Sequence, residues 1–308
     1  MIRFRRLTPD LLNLWLVDQG VASAHSRYRL RLWHEDQAGL AALREELVAY
    51  IDEGFEDARA RIRRGFVDDL SPFDDPRQDP AANYPAFLNK VTLQGYFGET
   101  LAVIAIEHWG AHGYTDWHVP AFLFRFHDQE FQHLDLINER ISAGEPFDPD
   151  ASGEKRPGRT GDDGIAFRFD AATNTITDIL TLEAKCLTQS NEATIVDAHQ
   201  KLAKAGRRPS GIRELINLLD EYDTPLARAW QEALLKLWSG GYNIATRRDG
   251  LSYACGNSPI RGGRQSWMPA TAPHSSYTNT RALEGMEFHF KDIPAIVSTF
   301  YRKGTDGQ

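Results

Sequence analysis

Two runs of alternating apolar and polar residues, separated by a short turn-like segment, most constrain the fold of this chain. They cover residues 164–170 (GIAFRFD) and 175–186 (TITDILTLEAKC), and residues 171–174 join them. Alternation with a period of two is typical of strands, and so short a connection predicts a hairpin. A largely apolar helix pattern precedes the pair at residues 88–109, and an amphipathic one follows it at 192–205. This order of elements predicts an α/β domain with a hairpin-linked central pair of strands.

The remaining patterns extend this core on both sides. In chain order they predict a strand at 26–34, a helix at 38–64, a buried strand at 119–126, a short helix at 129–142, helices over 211–238 with a break near 224–225, a strand at 287–290 and a helix at 293–301. Residues 68–85 are rich in Pro and Asp, which predicts an exposed loop. We therefore predict an N-terminal extension over 1–85, a core with its following helices over 86–238, and a loop-rich C-terminal extension over 239–308.

The composition is that of an ordinary globular protein. The chain has 308 residues, of which 42% are hydrophobic and 25% charged, so it is long enough to bury a sizeable core. Cys186 and Cys255 have no metal-ligand or disulfide spacing, which favours a reducing compartment. The N-terminal residues form no signal-peptide pattern, and no apolar run approaches the roughly 20 residues of a membrane span. We expect a soluble, cytoplasmic protein with no membrane partner.

The net charge of −8 is unfavourable for a protein that coats nucleic acid, but an enzyme that touches nucleic acid locally can carry it. Positive charge gathers in four places, at residues 59–64, 204–208, 247–248 and 261–264. Each of these clusters alone is typical of a solvated face. As a set around a metal site, they would suit a phosphate backbone.

A candidate site lies at the end of the second strand of the hairpin. Glu183 and Lys185 are two residues apart, so they share one face of the strand, and Leu182, Ala184 and Cys186 point the other way. The hairpin returns the chain so that Glu183 ends near the acidic turn that opens the first strand, where we take Asp163 rather than the adjacent Asp162 as the partner. Two carboxylates that meet repel each other, and a divalent cation such as Mg²⁺ relieves the repulsion. Such a cation activates water and polarises phosphate, and Lys185 could meet developing negative charge.

At this point the residues resemble the PD-(D/E)XK, or restriction-endonuclease-like, nuclease superfamily. An acid, a strand and then Glu-x-Lys before a helix is that family's pattern, and its core has the order α-β-β-β-α-β. The resemblance covers roughly residues 90–205. It implies that Glu99, in the helix pattern GYFGETL, joins Asp163 and Glu183 as a metal ligand for one or two Mg²⁺ or Mn²⁺ ions. It also implies a catalytic role for Lys185 and a supporting one for Gln200, in DAHQKL.

More narrowly, the strings GRTGDDGIAFRFD, LTLEAKC and DAHQKL resemble the nuclease subunits of Hachiman-type antiphage systems. That resemblance implies a role in bacterial defence, a helicase or ATPase partner, and DNA rather than RNA as the substrate. The residues themselves do not separate the two nucleic acids, and they give neither cleavage specificity nor oligomeric state.

Each of these residues also has a structural interpretation. Glu183 and Lys185 could form a structural ion pair, Asp163 could belong to an ordinary Asp-Gly turn, and Gln200 could bond only to backbone. A carboxylate inside the apolar helix around Glu99 is costly unless it is paired or metal-bound, which favours a role for it. The aromatic residues of 242–277, Trp267 among them, could stack on unpaired bases or pack against the domain.

Three histidines and two rival functions complete the alternatives. His108, His112 and His118 fit no metal-ligand spacing, so packed or surface histidines are the better interpretation. The first rival function is a non-catalytic scaffold or regulatory subunit that keeps a nuclease fold. The second is a hydrolase of a small phosphorylated metabolite, which the lack of a Walker-type loop and of a nucleophile elbow disfavours.

Overall fold

The structure is a computed structural model that places most of the chain. It describes residues 7–20, 25–66, 81, 84–120, 143, 150, 162–206, 208–259 and 263–302.

One mixed β-sheet organises the described residues. Its seven strands are, in chain order, β1 (Leu16–Asp18), β2 (Tyr28–Glu35), β3 (Trp117–His118), β4 (Gly164–Asp170), β5 (Thr175–Leu187), β6 (Thr246–Cys255) and β7 (Leu283–His289). They are arranged in the order β1-β2-β7-β6-β5-β4-β3. The four central strands β2, β7, β6 and β5 run parallel to their neighbours in that set, whereas β1, β4 and β3 are antiparallel additions at the two edges.

Helices cover both faces of this sheet. They are α1 (Pro9–Trp15), α2 (Gln37–Phe66), α3 (Lys90–Trp109), α4 (Glu192–Lys204), α5 (Ile212–Asp220), α6 (Pro225–Ser239) and α7 (Ile293–Tyr301). Helices α2, α3 and α7 build the largest apolar cluster, which packs on one face of the sheet. Helices α5 and α6 pack against β4 and β5, and α4 packs against β5 and β6, each with an apolar cluster of its own. The fold is therefore α/β, as predicted.

Most of the predicted elements are confirmed within a few residues. The hairpin of β4 and β5, the helices α2, α3 and α4, and the break between α5 and α6 lie where the patterns place them. The predicted strand over 119–126 and the predicted helix over 129–142 fall largely outside the described residues, as does most of the loop over 68–85. The last predicted strand, at 287–290, is the end of a longer one, β7, which begins at Leu283.

One central strand differs from the prediction. β6 lies inside the segment predicted to be loop-rich, although it pairs with β5 on one side and with β7 on the other. Its first half reads TRRDG, which has the composition of a turn. A Cβ atom on Gly250 would lie 2.5 Å from Cδ2 of Leu182 on the neighbouring strand, so the glycine leaves room for that side chain. Asp249 is fully buried, and Thr181, Tyr277 and the paired Arg281 satisfy its carboxylate.

The N-terminal and C-terminal extensions join the same sheet as the core. β2 runs parallel to β7 over seven residue pairs, from Tyr28 with Leu283 to His34 with His289. β6 and β7 then link this pair to β5, the strand that carries the candidate site. The sheet thus runs through all three predicted segments of the chain.

Two close contacts fix the helices that flank β5. A Cβ atom on Gly98 of α3 would lie 3.0 Å from Cβ of Cys186, so the glycine lets the helix approach the strand closely. On the opposite face, Asn191 caps the N-terminus of α4, and its side chain accepts a hydrogen bond from the N–H group of Ala193. β5 is thus held between α3 and α4, and its alternate side chains face different helices. None of the described helices has the length and apolar character that crossing a membrane requires.

Candidate functional site

The hairpin brings Asp163 and Glu183 together, as the sequence predicts. Asp163 precedes β4, and its N–H group donates to the carbonyl oxygen of Leu182 at 2.8 Å. Its Oδ2 atom accepts a hydrogen bond from the N–H group of Ala184, also at 2.8 Å. The Asp163 carboxylate is therefore fixed on the backbone of β5 on both sides of Glu183.

Glu183 is the buried member of the pair. Its side chain is only 1% exposed, and the side chain of Asp163 is 13% exposed. The ammonium group of Lys201, on α4, bridges the two acids, at 2.6 Å from Oε2 of Glu183 and 3.5 Å from Oδ1 of Asp163. Lys185 approaches from the strand, with Nζ 3.0 Å from Oε1 of Glu183 and 3.6 Å from Oδ2 of Asp197. The carboxylates of Asp163 and Glu183 thus meet two ammonium groups, with the exposed carboxylate of Asp197 at the edge of the cluster.

The alternation of β5 separates this polar cluster from the main core. Leu182, Ala184 and Cys186 pack into the cluster beneath α3, on the face opposite to Glu183 and Lys185. Burial raises the pKa of the Cys186 thiol, which keeps it protonated and unreactive. The predicted assignment of faces is confirmed, and Cys186 is a packing residue.

The environment of Glu183 is unfavourable to its charge. Burial raises the pKa of this carboxyl to about 7, the negative charge of Asp163 adds to the rise, and Lys201 and Lys185 oppose it. Although Lys185 lies within ion-pair distance of Oε1, the contact lacks hydrogen-bond geometry, so this buried oxygen has no hydrogen-bond donor among the described residues. An oxygen in that position can accept a further cation or a proton.

Lys201 responds to the same charges in the opposite direction. Burial of its side chain disfavours the ammonium form, but the attraction of Asp163 and Glu183 outweighs burial and raises the pKa of Lys201. It is thus firmly protonated where it lies. Its position between the two carboxylates is the one that a bound cation would need to share or take.

The two adjacent aspartates have different surroundings. Oδ2 of Asp162 accepts hydrogen bonds from both the N–H and the hydroxyl of Ser210, each at 2.7 Å, and Oδ1 lies 3.8 Å from the guanidinium of Arg247. It anchors the segment that precedes α5. Asp163, in contrast, faces Lys201 and the backbone beside Glu183. The geometry therefore pairs Asp163, and not Asp162, with Glu183.

A groove of about 460 Å³ opens over Glu183. Its walls come from the exposed flank of α4, from the segment that follows this helix, and from β6. The charged groups that line it are Asp162, Glu183, Asp197, Lys201, Lys204, Arg208 and Arg247. Arg247 is held in place, because it donates to the carbonyl oxygen of Gly206 and to Oγ1 of Thr181. The groove thus has an acidic floor and a rim that is mainly basic.

Gln200 and Glu99 lie less centrally than the resemblance implies. Gln200 is exposed and lines the groove, but the adjacent Lys201 makes the contacts to the acids. Glu99 is half-buried on α3, near Tyr301 of α7, where its charge adds to a rise in the phenol's pKa that burial mainly causes. Within the described ranges, no group of three or more His, Cys, Asp or Glu residues is placed to hold a metal ion. A ligand role for Glu99 stays a prediction.

Lys201 is the residue that the sequence interpretation missed. The apolar positions Ile195, Ala198 and Leu202 fix which side of α4 faces the sheet. Lys201 directly precedes Leu202 and follows Asp197 by four residues, so it lies on the flank that turns towards β5. Gln200 lies further round the helix, in solvent. The phase of the helix, taken from its apolar residues, was the signal that selects between the two neighbours.

Several arginines of the predicted basic clusters away from the groove form ion pairs with acidic residues of the chain itself. Arg59 pairs with Asp52 and Glu56, and Arg63 also pairs with Glu56. Arg248 pairs with Asp178. Of the residues 261–264, only 263 and 264 are described, and Arg264 lines a separate pocket beside the N-terminal end of α4.

The three histidines near α3 make contacts with the protein. Nδ1 of His108 contacts the carbonyl oxygen of Ile104, the ring of His118 lies against Trp230, and His112 donates its backbone N–H to Glu284. Each of the three histidines therefore packs or forms a hydrogen bond within the protein.

No protein-family model matches the chain, and no curated protein matches it at a significant level. The chemistry of the site is therefore the basis for a functional proposal.

Proposed function

We propose that this chain is a metal-dependent nuclease with a restriction-endonuclease-like core. One observation carries the proposal: the carboxylates of Asp163 and Glu183 meet around a single ammonium group, beside Lys185, at the floor of a groove with a basic rim. Two carboxylates fixed this close favour a cation between them, a position that Lys201 holds here, and the basic rim suits a phosphate backbone.

The order of elements supports the same proposal. From α3 the described chain runs through β3, β4, β5 and α4 to β6, with α5 and α6 inserted before the last strand. β4 is antiparallel to both β3 and β5, and β6 is parallel to β5. This order supports the proposal of an α-β-β-β-α-β core in which the Glu-x-Lys segment lies on the third strand.

The two acids fit a hard divalent cation. Mg²⁺ and Mn²⁺ prefer oxygen ligands, and they are commonly held by one or two carboxylates together with water and substrate phosphate. Oε1 of Glu183 is a buried oxygen without a hydrogen-bond donor in the described part of the chain, which suits it to such a role. Asp163 and Glu183 would hold the ion, with Glu99 as a further ligand only if it approaches. When bound, the ion would polarise the phosphate and lower the pKa of a water.

The chain's own residues supply the rest of the chemistry. Lys185 carries a positive charge 3.0 Å from Glu183, where it can neutralise charge that builds on a phosphate or orient an attacking water. Lys201 would move from the acids towards the phosphate as a cation enters. Lys204, Arg208 and Arg247 line the groove and would draw and align the backbone. Gln200, at the edge of the groove, would support the substrate there.

Cleavage assays test this proposal. The purified chain should cut labelled single- and double-stranded DNA in Mg²⁺ or Mn²⁺ but not in EDTA, and RNA of the same sequence shows which nucleic acid is preferred. Glu183→Gln and Lys185→Ala should each lower the rate at least about 100-fold, the usual size of such an electrostatic contribution. Lys236→Ala, on an exposed part of α6 away from the groove, is the matched control. Unchanged rates in the two site variants would contradict the proposal.

A second candidate function also has an observation in its favour. Lys201 and Lys185 lie within ion-pair distance of the two acids, so ammonium groups of the chain itself occupy the place that a metal ion would take. A scaffold or regulatory subunit that keeps a nuclease fold would have this arrangement. Absence of cleavage with every substrate, alone and with a partner, would favour the scaffold. Cleavage that Glu183→Gln abolishes would exclude it.

For the biological setting, we propose an effector subunit of a bacterial antiphage system that acts with a helicase or ATPase. Only the sequence resemblance supports this step. Co-purification of a helicase from the native host with the tagged chain, and faster cutting in its presence with ATP, would support it. Equal cutting by the isolated chain and by the complex would count against control by a partner.

A further inference from the structure

We propose that a second pocket, on the other flank of α4, binds one unpaired nucleobase of a single strand whose backbone enters the groove. The pocket has a volume of about 640 Å³. The polar and aromatic residues that carry the argument are Ser190, Glu192, Arg264, Gln265, Trp267 and His274. The inference rests on the proposed nuclease function, because it concerns how that site would hold its substrate. We call it the indole pocket.

The indole pocket is connected to the acid pair through the sheet. Lys185 lies opposite Tyr253 on β6, and Tyr253 lies opposite Glu287 on β7, so the three form one row across neighbouring strands. Adjacent strands are about 4.8 Å apart, which puts Glu287 roughly 10 Å from Lys185. The hydroxyl of Tyr253 lies 2.9 Å from that of Ser190, at the pocket wall, and it accepts a hydrogen bond from the N–H group of Asn191. A single-stranded nucleic acid with a phosphate at Lys185 would therefore reach the pocket with a base a few nucleotides further along.

A buried carboxylate holds the pocket wall in place. Glu287 is fully buried, and its two oxygens accept hydrogen bonds from the backbone N–H groups of Trp267, at 2.7 Å, and Met268, at 2.8 Å. The indole N–H of Trp267 donates to the carbonyl oxygen of Asn257 at 2.9 Å. The indole is thus fixed by its polar edge, packs in part against the apolar cluster beneath α4, and lines the pocket with its remaining surface. A ring ordered before binding loses little entropy when a base stacks on it.

The exposed polar groups of the indole pocket match a nucleotide. Arg264 and Gln265 are exposed, and neither side chain has a hydrogen bond or ion pair within the described residues, so both are available to a ligand. An aromatic ring with a guanidinium and an amide beside it is the combination that binds unpaired bases and their phosphates. Glu192, also exposed, repels phosphate and accepts hydrogen bonds. It would keep the backbone on the Arg264 side and accept from an exocyclic amino group of the base.

This arrangement predicts a preference among bases. Cytosine presents an amino donor that a carboxylate accepts, whereas thymine presents a carbonyl oxygen at the same position. With Glu192 in place, a strand of cytosines should bind more tightly than a strand of thymines. With a glutamine at that position, the amide donates as well as accepts, and the preference should vanish.

The test measures binding of fluorescein-labelled oligo(dC) and oligo(dT) 12-mers to the whole chain by anisotropy, in EDTA, where no metal-dependent cutting occurs. Trp267→Ala should weaken binding of both about 5- to 150-fold, since one base stacked on an aromatic ring contributes about 1–3 kcal/mol. Trp267→Phe keeps a ring and should restore most of the affinity. Glu192→Gln should remove the dC-over-dT preference. Trp238→Ala removes an indole that is 47% exposed on α6 and should leave binding unchanged.

The outcomes separate this inference from the proposed function. If Trp267→Ala and Trp238→Ala behave alike, or if the wild-type chain binds neither oligonucleotide, the indole pocket is not a base site. Equal binding of the two oligonucleotides by wild type and by Glu192→Gln overturns the assigned preference. If base-dependent binding is found but no metal-dependent cutting, the nuclease proposal fails while the pocket stands. If the chain cuts in a metal-dependent way but neither binding nor cutting depends on Trp267, the pocket inference fails while the nuclease proposal stands.

Discussion

The buried carboxyl of Glu183 should make the folded chain less stable as the pH rises. Burial and the nearby Asp163 raise its pKa to about 7, from an ordinary value of 4.5. A carboxyl whose pKa is higher in the folded than in the unfolded chain binds more protons when folded. Stability should therefore fall between about pH 4.5 and pH 7, and the loss should be complete above pH 7.

The size of this effect follows from the shift. A shift of one pKa unit corresponds to 1.36 kcal/mol, so the shift of Glu183 is worth roughly 3 kcal/mol above pH 7. That figure already includes the attraction of Lys185 and Lys201. Glutamine has nearly the same shape and no charge to bury. Glu183→Gln should therefore be more stable than the wild type at pH 8, by up to roughly 3 kcal/mol, or about 5 °C in Tm.

Thermal unfolding at pH 5 and at pH 8, in EDTA, measures this difference. Glu183→Gln should unfold at a higher temperature than the wild type at pH 8, and the gain should largely disappear at pH 5, where the wild-type carboxyl is protonated. Mn²⁺ at pH 8 should then raise the Tm of the wild type but not that of the variant. If Glu183→Gln is no more stable than the wild type at pH 8, or is equally stabilised at both pH values, the folded structure does not disfavour the ionised form of Glu183.

Three further perturbations test the packing and the ion pairs. Gly98→Ala should destabilise the chain by about 1–3 kcal/mol in chemical denaturation, because its new methyl group would meet a β5 side chain at 3.0 Å. Gly95→Ala, with open space on the same helix, should be neutral or stabilise it by up to about 1 kcal/mol. Lys201→Met should tighten Mn²⁺ binding in calorimetry by about tenfold, the factor that 1.4 kcal/mol of relieved competition gives, whereas Lys204→Met should not. Asp162→Ala should leave Mn²⁺ affinity unchanged but cost about 1–3 kcal/mol of stability, because its carboxylate accepts two hydrogen bonds ahead of α5.

The hairpin and its acid pair could be predicted because their determinants are local. Alternation fixes which side chains of β5 face α4. The short turn starts the register of the hairpin, and a bulge between Arg168 and Phe169 shifts it by one residue, which brings Asp163 alongside Glu183. The choice between Asp162 and Asp163 needed more than the sequence. It depends on Ser210, which lies 48 residues away in the chain and donates a hydrogen bond to the carboxylate of Asp162.

β6 and Lys201 show what local patterns leave undetermined. The charged start of β6 resembles a turn, and it becomes a central strand because long-range partners neutralise its charges and because Gly250 leaves room for Leu182. The choice of Lys201 over Gln200 depends on the rotation of α4 about its axis, which the contacts of Ala198 and Leu202 with the sheet decide. Both features depend on tertiary packing.

The proposed function requires that Asp163 and Glu183 together bind a divalent cation. Anomalous diffraction from crystals soaked in Mn²⁺ would locate that ion. We predict a peak within ligand distance, about 2.0–2.6 Å, of oxygens from both acids, with Lys201 displaced from between them. The peak should be absent from crystals of Glu183→Gln. Mn²⁺ bound elsewhere, or no ion at this site while Lys201 still bridges the two carboxylates, would contradict the proposed metal site.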